Sequence, residues 1–209
     1  MAGRAVHPNK VQDMAVRSEQ SHRAILEATM TLLDERHPDA LTVQKLSIER
    51  IAREAGVSKT TIYRWWPSKA ALIIDTFLDN HVAKTPVRDD VSALEALREH
   101  LASLADIYSG PEGRLVAQLL AECQYDPETM AEFKKRFWLP RSQAVNSLIE
   151  RAVEEGTIRS GLEPELIAEL LYAPLYFRLL FQIEPLNADI AKTFLTAGLD
   201  GIAQTADPA

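Results

Sequence analysis

The chain contains a single cysteine and no long apolar run, and both absences limit where it can work. Cys123 is the only cysteine among 209 residues, which excludes an internal disulfide and fits a reducing compartment. No apolar segment approaches the ~20 residues that a membrane-spanning helix needs, and the N-terminus lacks the apolar core of a signal peptide. We therefore expect a soluble, cytoplasmic protein without a membrane partner.

Sequence motifs of catalysis and of metal binding are missing as well. The five histidines are scattered without HExxH or other metal-ligand spacing. Neither a glycine-rich phosphate loop nor a G-x-S-x-G nucleophile elbow is present. We therefore expect no enzyme, no metal site and no cofactor, and a helical enzyme remains the distant alternative.

Glycine and strand-like alternation are scarce, and this scarcity favours helices. The chain has eight glycines and a hydrophobic content of 46%. No segment alternates apolar and polar residues over the length of a strand. We predict an all-α fold of about nine helices, with enough residues for one large domain or for two smaller ones.

Basic residues are in the minority, which at first argues against a polyanionic partner. The formal net charge is −7. Residues 1–75, however, carry 11 lysines and arginines against 9 aspartates and glutamates, whereas residues 76–209 carry 12 against 21. A weakly basic head on an acidic body could orient the molecule on a polyanion and keep the body away from it.

Residues 48–69, IERIAREAGVSKTTIYRWWPSK, are the most informative stretch of the chain. Ile51 and Ala52 begin one apolar edge of a short helix, and Gly56 can take the positive φ that ends a helix. Ser58 can then cap the backbone N–H groups of a second helix. Two short helices around one tight turn predict a helix-turn-helix, whose second helix enters the major groove of DNA.

The second helix, from Lys59 to about Trp66, carries cationic, hydroxyl and aromatic side chains. We expect Ile62 and Trp66 to anchor it, while Arg64 is suited to bidentate contact with guanine. An ordinary helical hairpin with a solvated cationic face is the alternative, but it would expose two aromatic side chains without a contact. The candidate base contacts are Thr60, Thr61 and Arg64, the candidate phosphate contacts are Lys59, Tyr63, Trp65 and Lys69, and Ser47 and Ser58 complete the predicted DNA-binding set.

The run IAREAGVSKTTIYRWWPSKAAL resembles the DNA-binding signature of the TetR family of bacterial transcriptional regulators, over roughly residues 22–80. The resemblance implies that Tyr63 and Lys69 contact phosphates and that Trp66 packs in the core. It also implies a homodimer on double-stranded DNA, with a palindromic operator. We therefore expect a repressor that a ligand releases; an activator or a ligand-independent DNA-binding factor is the alternative.

One part of the pattern departs from the family. A Leu-Thr-Val-like segment usually occurs once, four residues before the Ile-Ala pair, but here it occurs as Leu41-Thr42-Val43 and again as Leu46-Ser47-Ile48. Ser47 has the proper spacing to Ile51 and is the predicted N-cap. The first copy then belongs to an extended loop, or Thr42 begins a longer helix.

We divide the chain into three parts. Residues 1–18 form a flexible N-terminal arm, which either reaches a minor groove or is a tail without a role. Residues 19–84 form the N-terminal three-helix helix-turn-helix DNA-binding domain and the helix that follows it. Residues 85–209 form the C-terminal helical ligand-binding and dimerisation domain, which begins where Thr85-Pro86-Val87 breaks a helix.

The remaining helices are predicted from apolar spacing and from glycine and proline breaks. Pro140 should split or kink the helix that contains it. The predicted ranges outside residues 48–69 are about 19–36, 69–83, 91–108, 114–124, 128–155, 163–182 and 187–204.

The helix at 163–182 is apolar around nearly its whole circumference, so it must be buried against its own domain and against something else. In the resembled family the last two helices form the dimer, while the core of a monomer is the alternative here. Pro174 would kink this helix and open space beside it. The predicted interface residues are Leu170, Leu171, Leu175, Leu179, Ile190, Phe194, Leu195, Leu199 and Ile202.

The resemblance also implies that the middle helices enclose a small-molecule effector. Apolar and aromatic residues at helical spacing are equally typical of an ordinary core, which is the alternative. The candidate residues are mostly apolar or aromatic with a few polar ones, which favours a largely apolar ligand held by a few polar anchors. The candidate ligand-binding residues are Tyr108, Gln118, Leu119, Cys123, Gln124, Trp138, Tyr172, Phe177 and Arg178.

Overall fold

The structure is a computed structural model that describes the backbone of residues 8–202 and the side chains of residues 18–79, 81 and 84–201. Its helices are α1 (Pro8–Leu33), α2 (Ile48–Glu54), α3 (Lys59–Trp65), α4 (Lys69–Lys84), α5 (Ala93–Tyr108), α6 (Pro111–Tyr125), α7 (Pro127–Phe133), α8 (Leu139–Glu154), α9 (Pro164–Phe181) and α10 (Ala188–Ile202). A π-helical segment, Lys134–Trp138, joins α7 to α8. No strand occurs in residues 8–202, so the all-α prediction is confirmed. Within that range, no helix has the length and apolar character needed to span a membrane.

The chain folds as two compact units, Met1–Thr76 and Phe77–Ala209. The boundary therefore lies inside α4, whereas the sequence analysis placed it after residue 84. The first helix begins at Pro8 and not near Glu19, so part of the predicted arm is helical. Residues 1–7 and the side chains of residues 8–17, where the rest of the arm would be, lie outside the described residues.

The first unit is built on three helices that pack against one another. α1 contacts α2 and α3, and α2 contacts α3. Ile25 and Leu32 of α1, Ile51 of α2 and Ile62 of α3 are completely buried. Fully burying one such side chain stabilises the fold by about 1.5–3 kcal/mol. The predicted role of Ile62 as an anchor of the second short helix is confirmed.

The doubled segment before α2 forms a turn and then a helix start. Ser47 is the N-cap of α2, and its side-chain oxygen accepts a hydrogen bond from the Arg50 backbone N–H at 3.2 Å. Thr42 accepts from the Lys45 backbone N–H at 3.3 Å and begins a single turn that does not continue as a helix. The prediction for Ser47 is confirmed, and of the two alternatives for Thr42 the loop is the observed one.

The second unit is organised around α5. This helix contacts α6, α8, α9 and α10. Ala93, Leu97, Leu101 and Leu104 recur at three- and four-residue spacing on its buried face. A helix with this apolar stripe gains most of its stability from tertiary packing and little from helix propensity.

The long helix predicted at 128–155 is interrupted by the π-helical segment. Pro140 lacks a backbone N–H and its ring would clash with the carbonyl four residues earlier in a regular α-helix. The structure accommodates Pro140 in the first turn of α8, directly after the wider π turn. The helical backbone therefore continues from Pro127 to Glu154 and takes in Pro140 after a π turn, where the sequence predicted a split or a kink.

Candidate functional site

The turn between α2 and α3 has the geometry that the sequence predicts. Gly56 has φ +65°, a conformation that L side chains rarely adopt, so glycine is favoured there. The backbone N–H of Val57 donates to the Ala52 carbonyl at 2.9 Å, which closes the end of α2. The chain can therefore reverse within three residues and start α3 against α2.

Ser58 fixes the first turn of α3. Its side-chain oxygen accepts from the Thr61 backbone N–H at 3.1 Å, and its hydroxyl is hydrogen-bonded to that of Thr61 at 2.9 Å. Ser58 and Thr61, both predicted to contact DNA, are thus hydrogen-bonded to each other in this structure. Thr60, by contrast, is exposed, as expected for a side chain that can reach DNA.

Trp66 anchors the end of α3 in the first unit. Its side chain is 1% exposed, and its indole Nε1–H donates to Asp75 Oδ2 at 2.9 Å. The ring of His22 stacks on the Trp66 ring with centroids 4.7 Å apart. The predicted core position of Trp66 is confirmed, and the orientation of α3 is fixed from two sides.

The outer face of α3 presents aromatic and cationic side chains to solvent. Tyr63 is 53% exposed and Trp65 is 39% exposed. The Arg64 guanidinium carbon lies 5.6 Å from the centre of the Trp65 ring, within cation–π range. Trp65 also rests edge-on against His22 at 4.8 Å. An exposed arginine beside two exposed aromatic rings forms a surface suited to phosphates and base edges.

Two lysines of the predicted set are engaged within the protein. Lys59 forms a 2.9 Å ion pair with Glu49, whose hydrogen bond raises the pKa of Lys59, and this lysine lowers the pKa of Glu49. The Nζ of Lys69 donates to the Val43 carbonyl at 3.0 Å. A phosphate contact by Lys59 would require it to leave the Glu49 carboxylate, and Lys69 holds the loop before α2.

Sequence reasoning missed the partners of the predicted residues. His22 supports both Trp65 and Trp66, but it is more than forty residues away in the chain. Glu49 accepts from Lys59 and Asp75 accepts from Trp66, but the sequence analysis considered only the cationic, hydroxyl and aromatic residues of this region. Each contact depends on how α1, α2 and α4 pack, so no local spacing signals it.

The predicted interface residues divide into buried and exposed sets. The buried set is at most 6% exposed in the single chain and consists of Leu171, Leu175, Leu179 and Leu195. These side chains belong to the core of their own chain, so their assignment to the interface is wrong. Leu170 is 51% exposed. Ile190, Phe194 and Leu199 are half-buried, and the side chain of Ile202 lies outside the described residues. The exposed large apolar side chains of α9 and the turn after it are Leu166, Leu170, Phe177, Leu180, Phe181 and Ile183.

The predicted ligand residues do not share one cavity. Tyr108, Gln118, Gln124 and Arg178 line a groove of about 760 Å³. A second groove, of about 680 Å³, is lined by Phe177 and Arg178 together with Leu170, Pro174 and Phe194. Leu119, Cys123 and Tyr172 are buried outside both grooves, and Trp138 is 43% exposed. The single pocket implied by the predicted set is therefore replaced by two open grooves.

Two segments of the chain match described families. Residues 25–76 match "Bacterial regulatory proteins, tetR family", and residues 87–197 match "Tetracyclin repressor-like, C-terminal domain". The chain is 34% identical over 189 residues to the HTH-type transcriptional regulator YdeS of Bacillus subtilis (strain 168). That similarity covers 90% of this chain and 93% of YdeS.

Solved structures have the same fold. The TetR family transcription regulator SCO0332 superposes with a TM-score of 0.73 at 27% identity, covering 88% of this chain and 100% of that one. The regulator FadR from Bacillus subtilis, in complex with stearoyl-CoA, gives a TM-score of 0.66 at 16% identity, covering 87% and 99%. At 16% identity the likeness shows the fold alone. The helix-turn-helix, the two matched segments and the relationship to YdeS agree, and the chain belongs to the TetR family of DNA-binding transcriptional regulators.

Proposed function

We propose that the protein is a homodimeric repressor that binds a palindromic operator and is released from it by a small, largely apolar ligand. The exposed face of α3 carries this proposal, since Tyr63 and Arg64 project from a helix whose end Trp66 fixes in the core. A rigidly held recognition helix with an exposed arginine can discriminate bases in the major groove.

The apolar face of α9 supports the dimer. Leu166, Leu170, Phe177 and Phe181 are between 44% and 67% exposed, and the rings of Phe177 and Phe181 contact each other at 4.8 Å. A monomer rarely leaves such a contiguous apolar patch in water. The occupant that we propose is the same face of a second copy, because a two-fold interface is self-complementary and gives the symmetry of a palindrome.

The two grooves of the second unit support a ligand response. The groove that contains Tyr108 and Gln118 combines apolar walls with amide and guanidinium groups. FadR, which has the same fold, is in complex with stearoyl-CoA. Release follows if the ligand binds more tightly to a conformation with lower affinity for DNA.

Selection of bound sequences from a random DNA pool tests the proposal. An inverted repeat whose half-sites lie about one helical turn (~34–36 Å) apart, or a multiple of it, is expected. A single half-site or a direct repeat contradicts the symmetric dimer. Fusing the selected sequence to a reporter then separates a repressor from an activator, because deletion of the gene raises expression only in the first case.

A further inference from the structure

Trp65 and Trp66 are consecutive in the chain but lie in different environments. Trp66 is 1% exposed, whereas Trp65 is 39% exposed and is the last residue of α3. The backbone at Trp66 is extended, with φ −125° and ψ 121°, so the helix ends between the two side chains. The last residue of a helix has only the preceding turn beside it, and contacts from another helix can therefore decide the orientation of the Trp65 ring.

His22 of α1 supplies such contacts to both indole rings. Its ring meets that of Trp65 edge-on, with centroids 4.8 Å apart and planes at 72°. The same ring stacks on that of Trp66, with centroids 4.7 Å apart and planes at 26°. The two indoles are further from each other, at 6.5 Å. Edge-to-face and stacked pairs at these separations are the favourable arrangements of aromatic rings, so the imidazole bridges the exposed indole and the buried one.

The buried end of this ring cluster is fixed in the core of the first unit. The indole N–H of Trp66 donates to Asp75 Oδ2 at 2.9 Å, and close packing leaves a buried ring of this size little freedom. His22 is half-buried and stacks on this fixed surface. The order of the core is therefore extended through the imidazole to the side chain of Trp65 at the surface.

The exposed end of the cluster supports Arg64. The guanidinium carbon lies 5.6 Å from the centre of the Trp65 ring, within cation–π range. Its Nη2 donates to Ser18 Oγ at 3.4 Å, and Ser18 lies one turn before His22 on α1. A guanidinium that stacks on an aromatic face is pre-organised, so it loses less conformational entropy when it forms hydrogen bonds to a ligand. The position of Arg64 thus depends on a ring that α1 holds in place.

We propose that His22 is a positioning residue for DNA recognition, which holds the Trp65 ring as a platform from which the Arg64 guanidinium meets the DNA. His22 acts through Trp65 and does not itself touch the DNA. Without the imidazole the indole rotates more freely, and Arg64 then loses more conformational entropy in making the same contact. This inference rests on the proposed DNA contact of Arg64 and adds the residue that orients it.

An ordinary packing role for His22 predicts a different result. The loss of a packed ring lowers stability, and its effect on DNA binding does not depend on whether Arg64 is present. A positioning role makes the effect of His22 depend on the residues through which it acts. The loss caused by removing His22 must then shrink when Trp65 or Arg64 has already been removed, and a double-mutant cycle measures this dependence.

The test measures dissociation constants of the full chain by fluorescence anisotropy, with the tightest-binding duplex from the random pool as the probe. His22→Ala should weaken binding about fivefold in the wild type and less than about twofold in the Arg64→Ala and Trp65→Ala backgrounds. His22→Phe keeps a ring between the two indoles and should restore binding to within about twofold of the wild type. Ile25→Val is the control for packing, because Ile25 is completely buried on the same helix and has no part in the ring cluster. It should lower Tm, and any effect on binding should be the same with and without Arg64.

The inference is overturned if His22→Ala binds as the wild type does, if its loss is equally large in all three backgrounds, or if His22→Phe does not restore binding. It is also overturned if Arg64→Ala leaves the affinity unchanged, because no contact then needs orienting. Should His22→Ala fail to fold, His22→Leu takes its place in the cycle. The probe is used whatever its symmetry, so a pool without a palindrome contradicts the dimeric repressor and leaves the result for His22 intact.

Discussion

The indole nitrogen of Trp66 donates to the carboxylate of Asp75 across 2.9 Å, which ties the end of the recognition helix α3 to α4. A hydrogen bond to a charged acceptor contributes about 1.5–3 kcal/mol. Trp66→Phe should therefore lower the free energy of unfolding by about that amount and weaken operator binding. Urea denaturation followed by circular dichroism measures the first effect. Trp65→Phe is the control, and an equal loss there would contradict the assignment.

Arg64 and Lys69 should differ in what their removal changes. Arg64→Ala should relax the base preference at one position of each half-site, by about 1–3 kcal/mol of discrimination. Lys69→Ala should weaken binding to all sequences and reduce the slope of log K against log salt by about 0.9. Binding to matched and mismatched operators at four salt concentrations gives both quantities. Equal losses with an unchanged salt slope would show that these roles are wrong.

Glu49 should act as a competitor of DNA. Its carboxylate is paired with Lys59 at 2.9 Å, so Glu49→Gln frees the ammonium group for a phosphate. We expect tighter binding to operator and to random DNA alike, by several-fold at 50 mM salt. Glu54→Gln controls for the general effect of removing one negative charge, because Glu54 is exposed on the same helix. A gain no larger than that of the control would mean that the pair with Lys59 does not matter.

Leu170 offers a direct test of the proposed dimer. It is 51% exposed on α9, and a glutamate at this position would bury two charges in a symmetric interface. Leu170→Glu should raise the dimer dissociation constant at least a hundredfold, as measured by analytical ultracentrifugation. Tyr125→Glu, at an 89% exposed position on α6, should leave the dimer intact. Dissociation by both variants, or by neither, would argue against α9 as the interface.

The two buried histidines predict a loss of stability in acid. Burial and the neighbouring charge of Arg141 lower the pKa values of His81 and His100 to about 3. Because an unfolded histidine titrates near 6.5, the unfolded chain binds more protons between these values, and stability falls as pH falls from about 6.5 towards 3. Each histidine should account for about 2 kcal/mol between pH 7 and pH 5.

Chemical denaturation across that range measures the slope. His81→Phe should reduce it by about half of the histidine contribution, since the phenyl ring keeps the stack on Phe77 and has no proton to gain. A slope that is insensitive to His81→Phe would contradict the neutral, buried state of this ring.

The helix-turn-helix could be predicted in detail because its determinants are local. The positive φ of Gly56, the caps at Ser47 and Ser58 and the buried Ile62 all depend on residues within four positions. The local sequence is enough to predict such features, and the resemblance to the TetR family added the prediction that they serve DNA binding.

The second unit was harder to predict for two physical reasons. Apolar residues surround α9, so the sequence hides which side faces its own core, and Leu171 was assigned to the same surface as Leu170. Arg141 of α8 donates to Thr85, which lies 56 residues earlier in the chain, and no periodicity brings the two together. Contacts of that range become visible only when the packing is known.

The π turn at Lys134–Trp138 absorbs one residue more than an α-helix would need over the same rise. Phe133 before it and Val145 after it are both buried in the second unit. Removing one residue from this segment, together with Pro140→Ala, would restore a regular α-helix and leave both flanking faces turned inward. The π turn therefore lets the chain carry Pro140 within a continuous helix while both flanking faces stay in the core.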